Sequence, residues 1–260
     1  MSRSFGSLEK AGKHCGGLLA MDRRMRPHLP DGHRWNLSDA ILDTRRVQRD
    51  TQISFAERMA EPLLHIEEGL AYSFTTLPDG RRHVEDMFGS GGVCNWRQSL
   101  RAALPYALML KAGTTITRLD TAAVLREMER DPHLAEAFRR LDLSRQWRLR
   151  QRSRTLISGA IHDGLMHVLL DLSFETHGTF GRFDPMPVQM TQEEISTILG
   201  SSTVHVNRTV KKLVADGRLR RRSRVFEIVD PDRERQRLAY DTPSFPAIAG
   251  KPALVKEPSA

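Results

Sequence analysis

The chain has 260 residues, 39% of them hydrophobic and 28% charged, with 40 Lys and Arg against 32 Asp and Glu for a formal net charge of +8. That length leaves room for two modest domains rather than one large one, and the basic balance favours a polyanionic partner. No stretch approaches the ~20 uninterrupted apolar residues that cross a bilayer, no apolar run of signal-peptide length opens the chain, and Cys15 and Cys94 lie too far apart to read as a metal motif or a disulfide framework; the expectation is a cytoplasmic protein with no membrane partner.

Residues 1–33 carry Gly, Ser, Pro and mixed charge without periodicity, and a mobile tail is expected there. From about Asn36 to Asp120 short apolar or alternating runs are separated by turn signals. Leu70 to Leu77 alternates and ends at Pro78-Asp79-Gly80, and Asp-Gly between two such runs is a hairpin signal. Arg81 to Phe88 then meets Gly89-Ser90-Gly91-Gly92, and Tyr106 to Leu110 and Thr114 to Leu119 flank Ala112-Gly113. Repeated short strands predict an antiparallel barrel or roll over 34–130.

The period then changes. Asp131-Pro132 reads as an N-cap with proline at the first helical position, and no glycine or proline follows until after Arg154. Leu134, Phe138, Leu141, Arg145 and Leu149 recur at three- and four-residue steps, predicting one long helix over 131–154 with an apolar seam. That seam fits either the same helix of a second chain or the chain's own roll. Arg145, Arg148, Arg150, Arg152 and Arg154 fall near the junction between the two expected domains. A second helix is expected over Thr155 to Glu175, with Ile157, Ile161, Leu165, Val168, Leu169 and Leu172 on one side. His177 to Pro187 reads as a loop. The Pro-rich segment 239–260 is expected to be disordered.

The function-bearing stretch lies at Thr191–Asp216, within a domain expected over 155–238. Thr191-Gln192-Glu193-Glu194 is a capping box, Ile195, Ile198 and Leu199 give a buried face, and Gly200 supplies the turn. Ser202 caps a second helix, Thr203 to Ala215, which stops at Gly217. At about 100° per residue, Val206, Thr209, Val210 and Leu213 share its inner face. Val204, Arg208, Lys211 and Ala215 lie opposite, with Asn207 and Lys212 on the flanks. A narrow basic face at a helix start suits the major groove of double-stranded DNA: Arg208 can pair bidentately with guanine and Val204 can pack on a thymine methyl, while Ser202, Thr203 and the helix N-terminus suit phosphate. Leu219 to Arg222 and Arg224 to Val229 alternate like a β-hairpin wing with arginines at its tip. The candidate DNA-contacting set is Thr191, Ser202, Thr203, Val204, His205, Asn207, Arg208, Lys211, Lys212, Arg221 and Arg222.

These residues, Met190–Asp230 with Thr191-Gln192-Glu193-Glu194-Ile195 and Ser202-Thr203-Val204-His205-Val206-Asn207-Arg208-Thr209, resemble the winged helix-turn-helix of the cyclic-AMP receptor protein / fumarate-nitrate regulator (Crp/Fnr) family of bacterial transcription regulators. The likeness extends more loosely from about Leu63. It implies an α+β fold with an N-terminal cyclic-nucleotide-binding-like β-roll, a long dimerisation helix and a C-terminal winged helix-turn-helix. It also implies a homodimer on a two-fold DNA site, with RNA polymerase as a candidate further partner. Thr203, Val204 and Arg208 match the family's base-reading positions, but Thr203 and Val204 replace its arginine–glutamate pair, so its best-known operator does not carry over.

The sensor half departs further. Gly89–Arg101 has no glutamate for a ribose hydroxyl, and Leu104-Pro105-Tyr106 stands where a phosphate-binding arginine pair would fall. Cyclic AMP is therefore not expected, nor is an iron–sulfur cluster from two distant cysteines, and the effector is left unknown. His65 and His83 are expected to be structural or exposed rather than haem ligands, and Cys94 to be an inert buried thiol rather than a redox centre. No phosphate-cradling loop or nucleophile elbow occurs, and His162 and His167 stand five apart without a metalloprotease spacing; the reading is not an enzyme. The alternative to a DNA-binding regulator is a ligand or redox sensor acting mainly through protein partners, with the winged module as adaptor.

Overall fold

Asp79 and Gly80 close a hairpin between β5 (Ala71–Thr76) and β6 (Arg82–Phe88), with Gly80 at φ +82°, where a side chain would cost about 1–2 kcal/mol. The computed structural model describes residues 9–10, 18–54, 62–96, 106–177, 186–187, 190–223, 225–241 and 243. β1 (Glu9–Lys10), β2 (Ile41–Arg46), β8 (Thr115–Leu119) and β4 (Leu63–Glu68) form one four-stranded sheet in that order. β3 (Thr51–Ser54), β7 (Ala107–Leu110), β5 and β6 form a second. Every pairing in both is antiparallel, as the spaced turn signals predict. Residues from both sheets, among them Val47, Leu64, Ile66, Leu108, Leu110 and Ile116, bury one shared core together with Cys94. Each such aliphatic side chain contributes about 1.5–3 kcal/mol through burial.

The expected tail through residue 33 is corrected for residues 18–33. α1 (Leu19–Met25) and a 3₁₀ turn at Arg26–His28 stand there. Met21 and Met25, four apart and so on one helix face, bury with Leu29 against Leu37, Leu63, Leu119, Leu134 and Phe138. Residues 1–8 and 11–17 lie outside the described residues. The far end is corrected in the same way at 239–241. Tyr240 is buried and its hydroxyl donates to Asp171 Oδ1 at 3.0 Å. Residues 242 and 244–260 lie outside the described residues.

After α2 (Thr121–Arg130), the side chain of Asp131 accepts from the amides of His133 and Leu134 and starts α3 (Pro132–Ser158) with Pro132 in its first turn. The helix runs one turn further than Arg154 and breaks at Gly159. The boundary expected at Thr155 is therefore corrected, and Ile157 sits at the end of α3 with 84% exposure instead of on the buried side of the next helix. The expected seam faces inward: Leu134, Phe138 and Leu141 pack on the chain's own roll and α1, and Arg145 pairs with Asp86. Leu143 and Trp147, outside that seam, face outward at 53% and 40% exposure. Arg139, Leu143, Trp147, Arg150, Arg154 and Ile157 make an exposed stripe at steps of four and three.

α4 (Ile161–His177) follows, buried on all sides from Gly164 to Glu175 because it lies between the roll and the C-terminal module. Leu165, Leu169, Ile195, Val206, Val210, Leu213 and Phe226 share one core that continues into Tyr72, Phe74, Val84 and Met87 of the roll.

Candidate nucleic-acid interface

The two helices of the motif start where their caps place them. Thr191 Oγ1 accepts from Glu194 N at 3.1 Å while Glu194 Oε2 accepts from Thr191 N at 2.7 Å, a complete capping box for α5 (Gln192–Ile198). Gly200 turns the chain at φ +57°. Ser202 Oγ then accepts from His205 N at 3.2 Å and opens α6 (Thr203–Ala215). Each cap satisfies a helix-end amide, worth about 1 kcal/mol. Val206, Thr209, Val210 and Leu213 are the buried residues of α6, as the angular sorting requires. The opposite face is open, with Val204 68% exposed, Thr203, His205, Arg208, Lys211 and Lys212 exposed, and Asn207 half-buried.

The exposed basic groups are not equally free. Lys212 Nζ sits 3.2 Å from Asp216 Oδ2, and His205 Nδ1 lies 3.3 Å from Ser201 Oγ. Arg208 and Lys211 form no ion pair among the described residues. The wing is β10 (Leu219–Arg222) paired antiparallel with β11 (Val225–Ile228). Arg221 lies over the Phe226 ring and donates to Ser223 O at 3.0 Å, whereas Arg222 is exposed without an ion pair among the described residues. Arg224 lies outside the described residues. The loop expectation for His177–Pro187 is corrected at its end: β9 (Met186–Pro187) adds a third strand on β11. α7 (Pro231–Leu238), not foreseen from the sequence, braces the wing's base through a bidentate Arg218–Glu234 pair at 2.7 and 2.8 Å.

The module is joined to the roll by buried charge. Glu194 Oε1 accepts from Tyr72 Oη at 2.7 Å and from Lys111 Nζ at 2.9 Å, and Lys111 also pairs with Asp50. On α4, Glu175 Oε2 accepts from Arg24 at 2.9 Å and from Gly89 N at 2.6 Å, and Oε1 accepts from Arg148 at 2.7 Å. Burial raises the Glu175 carboxyl, but the two guanidiniums and the amide outweigh burial and hold its pKa at about 2. Arg145 pairs with Asp86, and Arg152 with Asp171. Three of the arginines expected at the junction are thus ion-pair partners there, Arg148 and Arg152 buried and Arg145 half-buried.

The glycine-rich turn serves close packing. A Cβ on Gly89 would lie 2.1 Å from the Glu175 carbonyl oxygen, and one on Gly91 2.5 Å from that of Ala20. Residues 97–105, which hold the end of the stretch compared with a nucleotide cassette, lie outside the described residues. Cys94 is fully buried and its thiol is pushed up by desolvation. His65 is buried, with Nε2 2.9 Å from Glu67 Oε1, and His83 is exposed. His167 is buried beside Thr155, 3.1 Å away, and burial lowers its pKa. Among the described residues no group of three His, Cys, Asp or Glu could hold a metal ion, and no helix is long and apolar enough to cross a membrane.

A β-roll, a long helix and a winged helix-turn-helix with an open basic recognition helix define a Crp/Fnr-type transcription regulator fold. Residues 165–234 match the family model of the Crp-like helix-turn-helix domain, and the chain carries that domain. Among solved structures, FixK2 from Bradyrhizobium japonicum is similar at 16% identity and a TM-score of 0.63, over 74% of this chain and 95% of that one. A CooA mutant from Carboxydothermus hydrogenoformans is similar at 13% identity and 0.59, over 88% and 98%. The c-di-GMP responsive global regulator CLP of Xanthomonas campestris is similar at 19% identity and 0.55, over 81% and 98%. These likenesses carry the fold. No curated protein matches the chain.

Proposed function

We propose that the chain is a homodimeric, sequence-specific regulator of transcription that acts in the cytoplasm and lays α6 in the major groove of double-stranded DNA. The observation that carries this reading is the open face Val204–Arg208–Lys211 on a helix whose other side is buried. Arg208 reads guanine through its two parallel N–H groups, and Val204 packs on a thymine methyl. Thr203, His205 and Asn207 complete the first turns against the base edges. Thr191, Ser202, Lys211 and Lys212 border the phosphates, and Arg221 and Arg222 bring the wing onto the backbone, each neutralised phosphate steepening the salt dependence by about 0.9. The stripe Leu143–Trp147–Ile157 on α3 meets its copy in a second chain. RNA polymerase is a further partner consistent with this role.

Arg208→Ala tests the reading. Discrimination between a site selected from random DNA and scrambled DNA should fall by about 1–3 kcal/mol, with the melting temperature unchanged because Arg208 is exposed. Arg222→Ala should instead weaken binding to both DNAs alike. Unaltered discrimination in Arg208→Ala, measured by anisotropy, would refute the reading.

A further inference from the structure

A cavity of about 390 Å³ opens where α1, the turn after β6, α3 and the end of α4 converge. That volume lies within the range of small-molecule sites, which concentrate at domain junctions. Its walls are aromatic: Phe88, Phe174, and Trp96 stacked on Phe138 with ring centroids 4.7 Å apart. Three guanidiniums stand on those rings, the half-buried Arg145 over Phe88 at 4.2 Å, and the buried Arg24 and Arg148 over Phe174 at 5.0 and 4.0 Å. Arg145 is balanced by Asp86 behind the wall, whereas Arg24 and Arg148 share the single carboxylate of Glu175; Asp142 is the other acidic group in the lining. Arg24 commits Nη2 and Arg148 commits Nη1 to Glu175. Each guanidinium carries five N–H donors, and the Nε of both is buried without an acceptor among the described residues.

We propose that this cavity binds a small aromatic monocarboxylate, its ring against Phe88, Phe174 and Trp96 and its carboxylate on Arg24 and Arg148. The protein already holds a carboxylate between these guanidiniums, that of Glu175, which sets the geometry a ligand must share. A single negative charge matches the second of the two guanidiniums that share Glu175, whereas a dianion would face Asp142 and Glu175. The ligand competes with Glu175 for its partners and so loosens α4, the helix that carries Leu165 and Leu169 into the core beneath α6. This last consequence rests on the regulator reading; the site itself does not.

Calorimetry of the full chain against benzoate, cinnamate and indole-3-acetate, each paired with its amide, tests the site. At least one acid should bind, with its amide at least tenfold weaker. Arg24→Gln should weaken the acid tenfold or more and leave the amide unchanged, and Ser144→Phe, which fills the cavity from a buried lining position, should abolish binding. Failure of all three acids, equal binding of acid and amide, or undiminished binding in Ser144→Phe overturns the proposal. If Arg24→Gln does not fold, the acid–amide comparison on the unaltered chain decides. A selected DNA site is then titrated with and without the bound acid, and a threefold or greater change in affinity is expected. An acid that binds without altering DNA affinity overturns the coupling, and a chain that binds acid but no DNA overturns the regulator reading alone.

Discussion

Replacing Glu175 by glutamine keeps the side-chain shape and removes one charge. In the native chain that charge is shared by Arg24 at 2.9 Å and Arg148 at 2.7 Å, both under a tenth exposed, and by the amide of Gly89. The substitution would leave two buried guanidiniums facing a neutral carboxamide. Breaking one partner of a buried pair costs about 3–5 kcal/mol. The titration gives a similar size, because a carboxyl moved from its ordinary 4.5 to about 2 carries on the order of 3 kcal/mol at about 1.4 kcal/mol per unit. For a chain of this length that lowers the melting temperature by on the order of 10 °C. The sign of the pH dependence follows from the depressed value. The stabilisation is complete above the ordinary value of 4.5 and is lost as pH falls from there through about 2. Calorimetric melting of the native chain and Glu175→Gln at neutral pH and at steps down to about pH 3 should show a wide gap that narrows in acid. Equal melting temperatures at neutral pH, or a gap indifferent to pH, would refute the argument.

Glutamate at Leu143 and Ile157 together should convert a dimer to a monomer of 29.5 kDa in light scattering at micromolar concentration, and a monomeric unaltered chain, with and without DNA, would contradict the pairing of α3. Gly89→Ala should lower the urea midpoint more than Gly80→Ala, because its methyl meets the backbone of Glu175 at 2.1 Å while Gly80 has nothing within 4 Å and only its φ of +82° to satisfy; the opposite order would overturn the packing account. In a Cys15→Ser background, Cys94 should resist a thiol reagent until the chain unfolds, since it is fully buried with a raised pKa; rapid native reaction would count against it.

The recognition half is legible in the sequence because its signals are local. Thr191, Glu194 and Ser202 act on amides three residues away, and the faces of α6 follow from 3.6 residues per turn. The antiparallel roll is legible for the same reason, through Asp79-Gly80 and the spaced runs around it. What escapes depends on distant partners. Met21 and Met25 stand four apart, a helix-face spacing, yet only the roll beneath them makes that face count. Arg24 and Glu175 lie 151 residues apart in sequence, and nothing near either announces the other. The end of α3 carries no local signal at Thr155, where neither glycine nor proline stands; the break waits for Gly159. Ile157 reads as core because its spacing fits α4, though it belongs to the outer stripe of α3.

Glu194 divides its two oxygens between separate duties. Oε2 closes the capping box on Thr191, and Oε1 receives Tyr72 and Lys111 from the roll. The latch between the halves and the start of α5 are therefore mechanically independent. Turning the module away from the roll releases Oε1 without fraying the helix that precedes the recognition helix. Nor does release strand the ammonium, since Lys111 keeps Asp50 and Glu194 gains water, so the cost of the movement lies in the apolar core shared with Tyr72 and Phe74 and not in this ion pair. A DNA-reading head held this way can change its bearing as a rigid body and arrive with its helices intact.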